Sequence, residues 1–595
     1  MFVFPHLRWL PPAAVLLCFA AIAQAEEVDR SPVDLVLAPN ESWLVTINQT
    51  ADTASLVRTS DGQVLHEQAI GDHPTGIALL PSGTEILITC HHSGELHRLR
   101  VQGDRLQKQA TIELGYLPHS IVVNKEGTTA YVSLTATAEI AVVDLVSNKI
   151  AETISVGRWP RHLALSADGN TLAVGASGDR GISVVDLTTK KQKFHETFMG
   201  LNIGQLQISK NQQHVYTTWM TYRGFPLNIS NIRQGWVLAS RVGRVRLDAA
   251  SRREAMALDP RGQAIADPYG FALTSDEQRM VVAAGGTHEL LVYRAPDLPL
   301  KAIGSDDHVP DSVLRDKDRF FRIQLGGRPQ GIKIAKDDET VYVANYLANS
   351  VQIVDLKSRE LQREIPLGSA PEPSLARQGE TIFYDARRSL DQWYSCATCH
   401  VDGGTNSIQM DTLNDNTQFT SKTVLPLYHL ADTGPWTWHG WQKDLSAAMR
   451  KSLIDTMHGP QPNDHDVQAM LAYLRELKPP PNPFVAKDGQ LTAAQERGRA
   501  LFHGSVANCI QCHTGPHHTD GQIHVVGLES RKDYYKGYNT PTLKNVYQKT
   551  QLLHDGRASN LAEVLRVAHS PEKVAGERKL TEEEIADLVE YLKGL

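Results

Sequence analysis

Two periodicities divide the chain. Through the first 370 or so residues, apolar and polar positions alternate in short runs separated by Gly, Asp and Asn turns, the pattern of half-buried strands. The motif Pro-x-x-apolar-x-apolar starts at Pro32, Pro74, Pro118 and Pro160, recurs at Ile203 with the proline replaced, and returns at Pro268 and Pro329. The steps are 42, 44, 42, 43, 65 and 61 residues. Each unit continues with a turn such as Ser166-Ala-Asp-Gly169, a β-rich run such as Ala130-Tyr-Val-Ser133, and a strand like Ile140-Ala-Val-Val-Asp144. Four strands in roughly 40–45 residues make one propeller blade. Seven starts therefore predict a seven-bladed β-propeller over 31–368, which must close because each blade buries its faces only against its neighbours. The two long steps predict insertions of about 20 residues near 222–244 and 304–319, as binding loops or as plain surface loops.

Beyond Gly368 the period becomes helical. Segments 374–387 and 492–503 read as helices, and Pro479-Pro-Pro-Asn-Pro483 is a rigid break. Landmarks recur in constant order: Cys396 with Cys509, Trp438-His439-Gly440 with His554-Asp555-Gly556, and Ala472-Tyr473-Leu474 with Glu590-Tyr591-Leu592, at offsets of 113 to 118 residues. This predicts two tandem, mainly α domains over 374–478 and 484–595. In the first region, Val341-Tyr-Val-Ala-Asn345 and Val351-Gln-Ile-Val-Asp355 resemble the YVTN-type propeller repeat. That resemblance implies a fold but no one activity; some such propellers are lactone hydrolases or dehydrogenase subunits.

The net charge of −7 and the lack of a basic run give nucleic acid no footing. At the N-terminus, Arg8 is the only charge before Glu26, an apolar stretch runs through 13–22, and Ala23-Gln24-Ala25 is a small-residue cleavage site. Residues 1–25 are thus expected to be a cleaved export signal. The stretch is shorter than the roughly 20 residues that span a bilayer, and no later run is long enough. The expected destination is the periplasm or beyond.

Without Cys18, five cysteines remain, four of them in Cys396-Ala-Thr-Cys399-His400 and Cys509-Ile-Gln-Cys512-His513. Both are C-x-x-C-H, the attachment signature of c-type haem: two thioethers to the haem and a histidine to the iron. His400 and His513 are the expected proximal ligands. The opposite axial positions decide function, since a filled site favours electron transfer and an open one admits peroxide. The candidates there are His569, in Val567-Ala-His-Ser-Pro571, and Met457 in the broadly equivalent place of the first domain, with His429, His439 and Met449 as alternatives.

Cys512-His513-Thr-Gly515-Pro516 with Thr519-Asp520, then Thr540-Pro-Thr-Leu-Lys-Asn-Val546, Leu553-His-Asp-Gly-Arg557 and Leu561, resemble the motif blocks of the di-haem cytochrome c peroxidase/MauG superfamily. The first domain resembles it through Cys396–His400 and Trp438-His-Gly440. The resemblance implies that the C-terminal haem accepts electrons from a small redox protein, a cytochrome c or a cupredoxin. The N-terminal haem would react with hydrogen peroxide, or act on a protein substrate, across a bridging tryptophan. Trp438 is the candidate bridge, with Trp436 and Trp441 nearby. The family's amide and acid–base glutamate are replaced by Ala448 and His458. His458 is therefore the candidate acid–base group, or else it or Met457 ligates iron. The usual ligand position opposite the C-terminal haem holds Ala568, with His569 one residue later. Family members often carry calcium between the haem domains.

Cys90-His91-His92, at a strand end, reads as a buried free cysteine, and His517-His518 as a loop beside the second haem. No G-x-S-x-G, phosphate loop or H-E-x-x-H is present. Three functions fit: a peroxidase/MauG-type oxidoreductase, a pure electron-transfer module with both irons six-coordinate, or an enzymatic propeller using the cytochrome as electron outlet.

Overall fold

The computed structural model describes residues 28–369 and 372–595; the expected export signal lies outside them. Seven antiparallel sheets form the propeller, from Pro32–Leu37 in the first blade to Glu360–Pro366 in the seventh. Six blades have four strands in sequence order, and the fifth has five because its inner edge is split into two short strands. Blade one closes on blade seven: the Ser31 N–H donates to Asn349 Oδ1 at 3.0 Å, and Lys336 N–H donates to Glu41 Oε1 at 2.6 Å.

The residue just ahead of the repeat start shares one conformation in six of the seven blades, which the sequence pattern did not disclose. Ser31, His73, Leu117, Trp159, Asn202 and Asp267 all have φ between 50° and 59°. This left-handed backbone is uncommon outside glycine, and four of the six residues, His73, Leu117, Trp159 and Asn202, line one cavity at the channel mouth.

Both long steps are real insertions. In blade five, the segment between His214–Tyr222 and Leu238–Arg246 holds the helix Ile229–Arg233. In blade six, the segment before Phe320–Gln324 holds Asp311–Leu314. The blade-five insertion packs onto the cytochrome region: Leu227, Ile232 and Val237 share a buried cluster with Trp393, Tyr394, Ile408, Met410 and Met457.

The two helical domains repeat one scaffold. Helix Leu375–Phe383 crosses Asp464–Glu476, and helix Ala493–His503 crosses Glu582–Lys593. A glycine sits at each crossing. A Cβ on Gly379 would run into the carbonyl oxygen of Ala469, and one on Gly498 into that of Asp587, so each close approach requires the missing side chain. Side-chain oxygens of Ser374, Thr492 and Thr581 cap their helices. Among the described residues no helix is long and apolar enough to cross a membrane.

Candidate haem sites

The first attachment motif forms the short helix Cys396–Cys399, pinned to the propeller by Asp267. Ser395 Oγ and Thr398 Oγ1 each donate to that carboxylate at 2.6 Å, and Asn202 Nδ2 donates to Thr398 O at 2.9 Å. Thr398 lies inside the C-x-x-C-H motif itself, so the haem 1 attachment loop is held partly by blade six. Arg161 of blade four pairs with Asp402 at 3.0 Å, just past the motif.

Cys396, Cys399 and His400 line a cavity of about 390 Å³. Burial pushes His400 down to about 4, which keeps the ring neutral and able to ligate iron at ordinary pH. Other walls are Leu227 from the propeller, Met410, Trp436, Trp438, His439, Ala448, Met449 and Met457. His458, at φ 49°, lines none of the described cavities, although its Nε2 is buried without a partner. His439 Nδ1 donates to the Gly537 carbonyl at 2.8 Å; His429 is not a wall of this cavity.

Cys509, Cys512 and His513 line a second cavity, of about 170 Å³. The N–H of His513 Nδ1 donates to the His518 carbonyl at 3.1 Å, fixing the tautomer that leaves Nε2 free, the arrangement that orients ligating histidines. Burial lowers His513 to about 4. His569 stands on the same cavity; burial lowers its pKa, and its Nδ1 is buried without a partner. Both cavities thus present the donor set that two covalently held haems need: paired thiols, a neutral histidine and an apolar enclosure.

Trp438 lines both cavities, with its Nε1 donating to Thr423 O at 2.8 Å. Trp436 and Trp441 wall only the first. Beside Trp438, Tyr538 stacks between His439 and His554 at ring distances of 4.8 and 4.3 Å. Its hydroxyl lies 3.0 Å from both His554 Nε2 and Asp533 Oδ2. Burial disfavours charge on Asp533, but the Lys422 ammonium at 2.8 Å helps hold its pKa down. Sequence reasoning missed this network, Asp267 and Leu227, since each acts across domains.

Lys549 walls both haem cavities and a third at the propeller face. Burial lowers it to about 8. Among the described residues the one cluster able to hold a metal ion is Cys512, Asp520 and His524, which includes a haem-attachment thiol.

Residues 373–482 match the family model for di-haem cytochrome c peroxidase, and 495–595 match that for cytochrome c. The chain is 28% identical over 273 residues to hydrazine synthase subunit gamma of Kuenenia stuttgartiensis, covering 37% of this chain and 77% of that protein. It is 25% identical over 282 residues to the methylamine utilization protein MauG of Methylophilus methylotrophus, covering 37% and 81%. A solved chain of Kuenenia stuttgartiensis hydrazine synthase superposes with a TM-score of 0.50 at 20% identity, over 57% of this chain and 99% of that one, a likeness of fold. The C-terminal region therefore carries a di-haem cytochrome c peroxidase/MauG-type domain followed by a cytochrome c domain, behind a seven-bladed propeller, and these likenesses support a peroxidase-like haem oxidoreductase with covalently bound haem c.

Proposed function

We propose that the protein is an exported oxidoreductase that takes electrons from a small redox protein, a cytochrome c or a cupredoxin, at its second haem. It delivers them to hydrogen peroxide, or exchanges them with a protein substrate, at its first. The observation that carries this reading is that Trp438 walls both haem cavities at once. The haems, when bound, supply one-electron transfer and, where an axial site is open, peroxide reduction. His513 and His569, which line the same cavity, would together hold the second haem, which would then supply electron transfer. His400 would hold the first, whose cavity offers thioethers and indoles but no second imidazole apart from His439, which is tied to Gly537. Trp438 provides the path between them, and the Lys422–Asp533–Tyr538–His554 network fixes the ground beside it. The propeller grips the first attachment loop through Asp267 and Arg161, and so presents a substrate or partner to that haem.

The test is the ferric absorption and EPR spectrum of the holoprotein before and after hydrogen peroxide. A high-spin signal consumed by peroxide is expected. Two low-spin signals that stay unchanged even after partial reduction would replace this reading with electron transfer alone.

A second reading has its own observation. Four histidines surround a cavity between the propeller channel and the first haem's attachment loop, as a propeller-borne reaction using the cytochrome as electron outlet would require.

A further inference from the structure

The cavity at the channel mouth has a volume of about 520 Å³, within the range of metabolite-binding pockets. Its floor comes from the inner-strand starts of several blades and its roof from the cytochrome region, including Asp402, Tyr428 and Lys549. His73, His91, His92 and His119 line it. Their rings touch in sequence, with His73 stacked on His92 at 4.0 Å and His91 edge-on to His119 at 6.0 Å. His119 is 7% exposed, and its Nδ1 is buried with no partner.

The charges identify the ligand. Arg161 is neutralised by Asp402 at 3.0 Å, and Arg377 by Glu380 at 2.6 Å. Arg328 forms no ion pair among the described residues, although the Asp402 and Glu380 carboxylates favour its charged form. The Arg328 guanidinium is instead held over the Tyr384 ring at 3.6 Å and the Tyr346 ring at 5.0 Å, a fixed fork of the type that takes carboxylates bidentately. A metal ion fits poorly: no three donor atoms of these histidines and neighbouring acids converge within 4.8 Å, and the Arg328 guanidinium lines the same chamber. Neutral imidazoles each bring a donor and an acceptor, which suits hydroxyl groups.

We propose that this chamber binds a metabolite-sized hydroxycarboxylate, its carboxylate on Arg328 and its hydroxyls among the four histidines. The site is separate from the peroxide chemistry and stands whether or not that reading does.

Calorimetric titration of the full-length di-haem protein with citrate, gluconate and the neutral polyol sorbitol tests it. Citrate or gluconate should bind with the haem absorption spectrum unchanged, and sorbitol should not. Arg328→Gln and, away from the packed core, His92→Gln should each weaken binding at least tenfold. Failure of both acids to bind, equal binding of sorbitol, or affinity unaffected by either substitution would overturn the proposal. So would a haem spectral shift that persists in Arg328→Gln, because the anion would then sit on iron.

Discussion

Met457 and His569 occupy the same position in the two haem domains. Each follows a five-residue π-helical turn, Ser452–Thr456 and Val564–Ala568. Each donates its N–H to the first carbonyl of that turn, at 2.9 Å to Ser452 and 2.8 Å to Val564, and each walls its own haem cavity. Such turns recur at functional sites because the extra residue re-aims the side chain that follows.

That equivalence gives the first prediction. His569→Ala should convert the second haem from low-spin to high-spin, read by EPR, and leave the first haem's signal in place. Met457→Leu, a near volume-conserving change costing under about 1.5 kcal/mol, should leave the second haem's signal untouched.

Trp438→Leu should slow electron transfer between the haems by at least tenfold without moving either haem's absorption bands. Reduction by a donor protein, followed by stopped-flow absorption, separates the two haems. Trp436→Leu, which alters one cavity wall only, should have a much smaller effect.

The helix crossings should not tolerate a methyl group. Gly379→Ala or Gly498→Ala forces Cβ against a backbone carbonyl, which has little freedom to yield. Each should cost about 1–3 kcal/mol, seen as a lower midpoint in thermal unfolding. Gly489→Ala, where nothing lies within 4 Å, tests backbone strain at φ 72° without such a clash.

Acid should weaken the propeller over a defined window. Burial holds His91 and His162 down to about 3 and His92 to about 4, whereas the unfolded chain takes up these protons near pH 6.5. Between those values the unfolded state binds more protons than the folded one, so stability falls as pH is lowered from about 6.5 towards 3 and is unaffected by these groups above 6.5. Thermal unfolding across that range should show the fall, and His162→Asn should flatten part of it.

The propeller was legible because its signal is local: each blade carries its own turn residues and alternation, and seven similar steps need no long-range knowledge. The haem attachment residues were legible for the same reason. The distal side was harder. The family resemblance points to His458, whereas the π turn puts Met457 at the position matching His569, a distinction of one residue that depends on helical winding. Cys90-His91-His92 announced only a buried cysteine, and Cys90 is indeed fully buried. His91 and His92 gain meaning once closure of the propeller brings His119 beside them. Asp267, one residue ahead of an ordinary strand proline, gave no sign that it would hold a haem-attachment loop more than 100 residues away.

Leu227 makes the enclosure of the first haem depend on two regions of the chain. It belongs to the propeller yet forms part of the wall of the first haem cavity, so that cavity is complete only when the two regions are docked. No propeller residue lines the second haem's cavity. Removing the propeller, or its blade-five insertion alone, would open one wall of the first chamber and leave the second enclosed as before.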